Sequence, residues 1–500
     1  MIAPQPRSRP RAVALALTIA ISGCALAVDR AAAQAVRGSA ATTTRLIEVR
    51  GIVPDSVPID QVTRNENGTF TWLGQSVACY GGDSCVFYRA GETQDAVALT
   101  QDVSFTAWGL GVRGLSATGL LRARADLAGS FTWARSDDAF DAMLLYLELD
   151  RAPARVRLGR LQTTGGLGFT GYDGADVMIE PMPAVMLEAW GGRSLARGIA
   201  EPRNDALRGL ESFLLDRDAW LVGAAATAEP ARGITLAARY QREIWTDRSG
   251  LLSERASLDV DVHRFQRVTL SASADWDFAF GRPGKADLTA RMPLRTDRRT
   301  RSWIEATARR YVPYFELWTI WGFFSPVAWH EAELLFGWQP SSALDVRASA
   351  GWRRYGETGT VVVLSPLEDD AARVSARADW RGSDAWSVHA SWTLEDGFGA
   401  FLSSGDVAVR WQPHPDVTLT LDGTAFQQIE QFRIGEGTVV GGGLSGAWQL
   451  AGSTDLSGGI SVYRQAFENR PSGVDWNQAR AWASLRIGFG RDPGLRTVSR

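Results

Sequence analysis

The chain has few of the residues that enzymes, metal sites and nucleic-acid-binding proteins rely on. Its 500 residues include one lysine, four histidines and three cysteines, and the formal net charge is −3. A nucleic-acid-binding protein is expected to carry a basic excess, which is missing here. The sequence also lacks a His-rich or Cys-His cluster, a phosphate-cradling glycine loop and a haem-attachment Cys-x-x-Cys-His motif. It therefore predicts no metal, no cofactor and no nucleic-acid partner.

Long apolar runs are scarce as well, and hydrophobic residues make up an ordinary 45% of the chain. One such run, Tyr311 to Trp329, has Glu316 as its only charge and by hydropathy is a candidate transmembrane helix. Pro313, Pro326 and the many aromatic residues make it a poor helix. We interpret it as the end of a strand followed by an aromatic extracellular loop.

The other apolar run lies near the N-terminus and resembles an export signal. Arg7, Arg9 and Arg11 precede it, and Ala33-Gln34-Ala35 forms a small-x-small cleavage site. We predict a signal peptide over residues 1–35. Alternatively, Ile21-Ser22-Gly23-Cys24 resembles a lipoprotein cleavage box, which would leave Cys24 lipidated. Either interpretation places the protein outside the cytoplasm.

The two remaining cysteines, Cys79 and Cys85, are separated by five residues. In an oxidising compartment this spacing fits a disulfide-closed loop at a hairpin tip, and the neighbourhood offers no further metal ligand. Nearby, Asn67-Gly68 is a hairpin turn signal. Residues 36–96 are therefore predicted to form a small β-rich periplasmic or plug segment with a Cys79–Cys85 disulfide.

From about residue 97 onward, apolar and polar residues alternate over unusually long stretches. In the clearest stretch the apolar positions are Val268, Leu270, Ala272, Ala274, Trp276, Phe278 and Phe280. Between them lie mainly serine, threonine and aspartate, so a strand here has one apolar and one polar face. Similar stretches begin near Ala256, Leu344, Val374, Trp386 and Val417. Strands of soluble sandwiches are usually shorter.

The connections between these stretches alternate in length. Short ones carry turn residues, as in Ala152-Pro153-Ala154 and Pro340-Ser341-Ser342, whereas Arg193 to Asp218 and Gly356 to Asp370 are long. Tryptophans cluster at the strand ends, as expected for interfacial aromatic girdles. The girdle candidates are Trp276, Trp338, Trp352, Trp380, Trp392, Trp411 and Trp448.

These patterns predict an all-β fold, a transmembrane antiparallel up-and-down β-barrel. The spacing of the turns indicates about 18–20 strands, within a range of roughly 16–22. We place the barrel at residues 97–490 and a C-terminal tail at residues 491–500.

On these features the chain resembles the porin-like class of bacterial outer-membrane proteins. Leu158-Gly159-Arg160-Leu161-Gln162 and Gly165-Gly166-Leu167-Gly168-Phe169 are similar to stretches of porin-like barrels. The final strand, ending at Phe489, resembles the signal read by the barrel-assembly machinery, although eleven residues follow it. The resemblance implies an outer-membrane location, with lipid and the assembly machinery as partners and small solutes as cargo. It leaves the oligomeric state open.

Two functions remain open at this level: a channel for small hydrophilic solutes, and a non-conducting barrel that anchors or encloses an envelope partner. Charges of both signs are expected to line the lumen, where they either pair with one another or tune passing solutes. The lumen-lining candidates are Arg122, Arg124, Arg255, Asp259, Asp261, Arg347, Arg373 and Arg377. We expect no enzymatic activity, because Ser387, His389 and Ser391 lack an obvious carboxylate partner, and His330 beside Glu331 is equally unsupported.

Overall fold

A computed structural model describes residues 35–491 except for 66–69, 74, 80, 129–139, 198–218, 247–248, 266–267, 298–299, 312–327, 356–369, 398–399, 430–436 and 468–475. The predicted signal peptide with Cys24 and nearly all of the predicted C-terminal tail lie outside the described residues, as does most of the apolar segment between Tyr311 and Trp329.

The described chain consists of antiparallel strands and a single 3₁₀ turn, Ile59–Gln61. In chain order, strands β1 to β25 are Ala35–Pro58, Thr63–Arg64, Phe70–Trp72, Gln75–Cys79, Ser84–Trp108, Leu115–Asp126, Phe140–Arg151, Ala154–Gly165, Gly168–Met182, Val185–Arg197, Ala219–Ala231, Ile234–Trp245, Leu251–Phe265, Val268–Asp277, Arg282–Thr296, Arg301–Tyr311, Trp329–Ser341, Leu344–Tyr355, Asp370–Arg381, Trp386–Gly397, Ala400–His414, Val417–Ile429, Gly437–Ala451, Thr454–Phe467 and Trp476–Gly490. No helix in this described part is long and apolar enough to cross a membrane.

Twenty-two of these strands, β1 and β5–β25, form a closed barrel. Neighbours in sequence pair with each other, and β1 pairs with β25 from Arg37 opposite Gly490 to Ile47 opposite Arg480, which closes the wall. The all-β barrel fold is as predicted. Its strand number lies above the favoured 18–20 and at the upper limit of the range.

The wall begins at Ala35 and not at residue 97. β1 pairs with β5 from Ala35 opposite Trp108 to Pro58 opposite Ser84. Only the first half of β1 also contacts β25, so the remainder of β1 and β5 extends past the barrel rim as a two-stranded ribbon. The sequence did not predict β1 as a barrel strand because Thr42, Thr43 and Thr44 place polar side chains on both of its faces.

The ribbon ends in a small sheet formed by β2, β3 and β4. Cys79 and Cys85 form the expected disulfide there, and Cys85 is fully buried with Val57 and Phe87. Ala35 and Gly490 lie at one end of the barrel, and this small sheet lies beyond the other end. β1 starts at Ala35, crosses the wall and leads to the small sheet only after Pro58. The long connections between strands lie at the same end as the small sheet. A barrel whose short turns face the periplasm therefore has this small sheet on the side away from the periplasm, and not in the periplasm as predicted.

Connections at the end where β1 begins and β25 finishes span two to six residues. Those between strands at the opposite end include the long segments 198–218, 312–328 and 356–369. We refer to the two ends as the short-turn end and the long-loop end. This difference in connection length between the two ends agrees with the alternation of short and long connections predicted from the sequence.

One face of the barrel exposes large apolar side chains. Leu258, Leu288, Leu334, Leu421 and Ile460 are all at least 46% exposed. The predicted girdle tryptophans share this face and are 39–55% exposed. Those near the short-turn end are Trp338, Trp380, Trp411 and Trp448, and those nearer the long-loop end are Trp276, Trp352 and Trp392. A face of this kind is stable only against an apolar solvent.

Candidate functional site: the inner face of the barrel

The polar face of the wall is the inner face, because its side chains reach strands that are not neighbours. Arg353 on β18 approaches Glu395 on β20 at 3.3 Å, and Arg239 on β12 approaches Glu188 on β10 at 3.5 Å. Side chains can bridge a strand in this way most easily on the concave side of a closed sheet. Strand register then assigns every other residue along each strand to the interior.

The structure places all eight predicted lumen candidates on the inner face, in three separate sectors. Arg122 and Arg124 lie on β6, where Arg122 makes a two-point contact with Asp102 through Nε at 2.6 Å and Nη2 at 3.1 Å. Arg124 lies opposite Thr100. These residues flank the seam where β1 closes the barrel.

A second sector contains Arg255, Asp259 and Asp261 on β13. Arg255 pairs with Asp275 on β14, and both side chains are nearly buried. Asp261 accepts a hydrogen bond of 2.6 Å from Ser271 Oγ. Asp259 and Asp261 therefore face the interior two residues apart, one of them with a hydroxyl partner.

The third sector contains Arg347 on β18 together with Arg373 and Arg377 on β19. Arg347 pairs with Asp345 and Arg377 with Asp379, in each case at 2.8 Å along the same strand. Arg373 lies 3.9 Å from a carboxylate oxygen of Glu331. Thus neighbouring carboxylates partly neutralise these predicted cations.

Glu331 on β17 is the centre of the largest ion-pair network. Its side chain is 2% exposed and contacts Arg309 at 3.4 Å and Arg353 at 2.5 Å. Arg353 in turn reaches Glu395, which links four strands through alternating charges. In the sequence, Glu331 stands out only as a neighbour of His330. The register instead places Glu331 inside and His330 outside. The alternation of apolar and polar residues in β17 was the sequence signal that separates Glu331 from His330.

A second network lies on β8, β9, β10 and β12. Arg157 contacts Asp176 at 2.5 Å and Glu188 at 3.7 Å, and Glu188 also approaches Arg239. Arg239 donates a further hydrogen bond of 2.5 Å to Thr163 Oγ1 on β8. Since β8 and β12 are separated by three strands, this contact shows that the wall is drawn inward here.

The β8–β9 hairpin causes this inward approach. Its tip, Gly166-Leu167, lies against β13, where Arg255 Nη1 donates a hydrogen bond of 3.3 Å to the carbonyl oxygen of Leu167. On the β9 side, Thr170 and Gln241 exchange side-chain hydrogen bonds of 3.3–3.4 Å. We call residues 163–170 the inward hairpin. It occupies part of the bore at the long-loop end.

Glycine permits the close approach at this tip. A Cβ atom on Gly166 would lie 2.7 Å from Asp259 Oδ2 and 2.8 Å from Ser257 Cβ, closer than real contacts allow. In the sequence, this glycine-rich stretch stands out only for its resemblance to stretches of porin-like barrels. The sequence signal for the inward hairpin was the pair Gly165-Gly166 in a connection that is unusually short for the long-loop end.

Apolar side chains fill the wall beneath the inward hairpin. Leu161, Tyr172, Trp190 and Leu221 form a cluster on the inner face, each at most 4% exposed. The ring of Trp190 packs over the Cα of Gly223, and Arg239 stacks on that ring with its Cζ 4.7 Å from the centroid. An aromatic ring over a cross-strand glycine pins the register of the two strands. This sector is therefore a packed surface and not a solvated one.

His389 on β20 lies between two carboxylates, which the sequence did not reveal. Its Nδ1 is 2.8 Å from Asp379 Oδ1 and its Nε2 is 3.2 Å from Asp406 Oδ2. Ser391 Oγ hydrogen-bonds to Asp406. Both ring nitrogens thus face carboxylates, and the serine has a carboxylate partner of its own. Within the described strands, no group of three or more His, Cys, Asp or Glu side chains is arranged to hold a metal ion.

The closed barrel, the exposed apolar outer face and the charged inner face together define a transmembrane β-barrel, the architecture that outer-membrane barrels have.

No family model and no curated protein sequence matches the chain. Similar solved structures include a BenF-like porin from Pseudomonas fluorescens, 10% identical with a TM-score of 0.42 and covering 91% of this chain and 99% of that one. OccAB1 from Acinetobacter baumannii is 8% identical, with a TM-score of 0.40 and coverages of 92% and 98%. The siderophore receptor PirA from Pseudomonas aeruginosa is 11% identical, with a TM-score of 0.47 and coverages of 91% and 80%. Likeness at this level does not indicate a shared function.

Proposed function

We propose that the protein is an outer-membrane channel for small hydrophilic solutes and not an enzyme. The observation that carries the proposal is the inner face, on which arginine–carboxylate networks and hydroxyl groups lie in several sectors of the wall. Apolar side chains would cover the inner face of a barrel closed by a hydrophobic core. Charged rings and ladders are the usual lining of selective pores.

The strand number supports an open path. Interiors of barrels with about eight strands can be filled by their own side chains, whereas barrels with about 16–18 strands leave an aqueous channel. Twenty-two strands enclose a wider space still. Side chains of the wall alone are too short to fill it.

The inward hairpin would then narrow the path and set its selectivity. It covers the packed cluster on β8–β11, which leaves the opposite wall, with the networks at Glu331 and at His389, to face the solute. In this proposal, the eight arginine and aspartate candidates line the bore, and the seven tryptophans hold the barrel at the two membrane interfaces. The short turns face the periplasm, and the barrel-assembly machinery inserts the exported chain.

A non-conducting barrel is the second candidate, favoured by one observation. Outer-membrane transporters with 22 strands have a plugged lumen, and the inward hairpin shows that part of this bore is occupied. Such a barrel would serve as an anchor or sheath for an envelope partner.

Planar-bilayer recordings on the full-length purified protein distinguish the two candidates. The channel proposal expects stepwise conductance whose size falls when neutral polymers small enough to enter the bore are added to the bath, and does not fall when the polymers are too large to enter. A heat-denatured sample of the same preparation is the control. A folded, correctly inserted protein that shows no steps at any voltage would remove the channel proposal and leave the sheath.

A further inference from the structure

The outer face carries a row of three basic side chains, two arginines and a histidine, near the long-loop end. Strand register places Arg310 on β16 opposite His330 on β17, and His330 opposite Arg354 on β18. All three alternate with interior residues, since Arg309, Glu331 and Arg353 belong to the inner network. They therefore point away from the bore. We call Arg310, His330 and Arg354 the outer cationic row.

No carboxylate makes an ion pair with the row within the described part of the chain. None of its three side chains makes a hydrogen bond or ion pair there, and Nε of Arg310 is buried without a partner. Asp370 is the cross-strand neighbour of Arg354, and its carboxylate accepts a hydrogen bond of 3.3 Å from Trp352 Nε1 without forming an ion pair with Arg354. The row thus differs from a charged pair elsewhere on this face.

That pair is Arg160 and Asp173, also near the long-loop end. Arg160 contacts both carboxylate oxygens of Asp173, at 2.7 and 2.9 Å, and a main-chain carbonyl at 2.9 Å. An arginine on the outer face can evidently obtain a full set of partners from the protein. The outer cationic row does not, so its partners are expected to come from its surroundings.

The height of the row identifies those surroundings. Trp352, 55% exposed, lies on the same face two residues nearer the membrane centre than Arg354. Two residues along a strand correspond to about 7 Å. Exposed tryptophans mark the boundary between hydrocarbon and headgroups. The row therefore lies at the level of the headgroups, just beyond that boundary.

Phosphate is the headgroup anion that fits this geometry. Adjacent strands are about 4.8 Å apart, so the two arginines stand about 10 Å from each other with a histidine between them. Guanidinium groups bind phosphate oxygens in a two-point, charge-assisted manner. A row of this width can hold one phosphate between each arginine and the histidine.

We propose that the outer cationic row binds the phosphorylated glycolipid, lipopolysaccharide, of the outer leaflet. The long-loop end faces the outside in the orientation argued above, and that leaflet presents phosphorylated sugars at this level. The proposal depends on the transmembrane orientation and not on conduction, because the row lies on the side of the wall away from the bore.

The test is binding of purified, bis-phosphorylated lipopolysaccharide to the full-length protein in detergent, measured by native mass spectrometry. In the triple variant Arg310→Gln, His330→Gln, Arg354→Gln, affinity is expected to fall by at least about tenfold, about 1.4 kcal/mol. The matched control is Arg464→Gln. Arg464 is an exposed outer-face arginine near the same end of β24, but it has Val440 and Asn477 as cross-strand neighbours. This control should bind as the wild type does.

Two further measurements complete the test. A comparison of lipids distinguishes the sources of phosphate, and a charge-conserving variant controls for misfolding. Dephosphorylated lipopolysaccharide and phosphatidylglycerol should both bind more weakly than the bis-phosphorylated lipid. The variant with lysine at all three positions keeps the positive charge of both arginines and should retain binding. The proposal is overturned if the glutamine variant binds like the wild type, or if phosphatidylglycerol binds as tightly as lipopolysaccharide. Conductance of the same variants should be unchanged, so failure here is separable from failure of the channel proposal.

Discussion

Arg255 Nη1 donates a hydrogen bond of 3.3 Å to the main-chain carbonyl oxygen of Leu167, although three strands separate β9 from β13 in the wall. The same guanidinium pairs with the nearly buried Asp275. One arginine therefore connects the inward hairpin to a fixed ion pair on the wall. The position of the hairpin, and with it the width of the bore, is expected to depend on this contact.

We predict that Arg255→Met releases the hairpin tip and increases single-channel conductance. The substitution also leaves Asp275 buried without its partner, which costs about 3–5 kcal/mol of stability. The double variant Arg255→Met, Asp275→Leu removes both charges, which is often close to neutral. It should regain stability against urea and keep the larger conductance. If the double variant conducts like the wild type, the contact to Leu167 does not control the bore.

Selectivity is expected to depend on Glu331, because Arg309, Arg353 and Arg373 all lie within 4.0 Å of its carboxylate. Glu331→Gln leaves three cations less neutralised, so the reversal potential in a salt gradient should shift toward anions. Glu254→Gln is the control. Glu254 accepts a hydrogen bond from Tyr240 on the outer face and should leave the reversal potential unchanged. An unaltered potential in Glu331→Gln would show that this network does not face the permeating ions.

Much of the fold could be predicted from the alternation of apolar and polar residues alone, because every second side chain of a strand points to the same face. Positions such as Leu270 and Ser271 are assigned by that rule without reference to any other strand. β1 escaped prediction because its threonines give no contrast between faces, and its place is set by pairing with β25, more than 400 residues away in the chain.

The inward hairpin escaped prediction for a related reason. Gly166 and Arg255 are 89 positions apart, and nothing local indicates that they meet. The apolar cluster at Leu161 and Tyr172 breaks the rule that inner positions are polar, since the hairpin covers it. Individual lumen charges were therefore predictable, whereas their networks and the narrowing of the bore were not.

The two faces of β14 provide a direct test of the register. Leu270 pairs with Val262 and Ala290 on the outer face, and Ser271 Oγ contacts Asp261 inside. Leu270→Arg should cost roughly 2–4 kcal/mol of folding free energy in lipid vesicles. Ser271→Arg should fold normally and alter ion preference. Urea unfolding in vesicles measures the difference, and equal tolerance of both changes would contradict the assigned faces.

Orientation can be checked with two engineered cysteines. Leu73, 54% exposed, lies in the small sheet beyond the long-loop end, and Val112, 45% exposed, lies in a turn at the other end. A membrane-impermeant maleimide on intact cells should label Leu73→Cys. It should label Val112→Cys only after the outer membrane is permeabilised. Protease on intact cells should likewise cut within Arg193 to Asp218 or Gly356 to Asp370 and not at Pro340 or Pro413. The reverse pattern would invert the barrel.

The last prediction separates the part of the N-terminal region that builds the wall from the part that does not. Pro58 and Ser84 are paired at the tip of the ribbon, and Ile59 N donates a hydrogen bond of 3.0 Å to the Asp83 carbonyl oxygen. Replacing residues 59–83 with a two-residue Asn-Gly turn should therefore close the β1–β5 hairpin without strain at its ends. The shortened protein should still resist trypsin and migrate as a folded band in unheated gel samples.

Deleting residues 36–96 should give the opposite result, although it removes what the sequence presented as a separate segment. That deletion takes away all of β1 that pairs with β25 and leaves two unpaired edges, at β25 and β5. Unpaired strand edges do not occur in hydrocarbon, because each exposed N–H and C=O group costs several kcal/mol. We expect this variant to be degraded or recovered in aggregates. A stable, trypsin-resistant barrel from it would show that β1 is dispensable and that the wall closes by pairing β25 with β5.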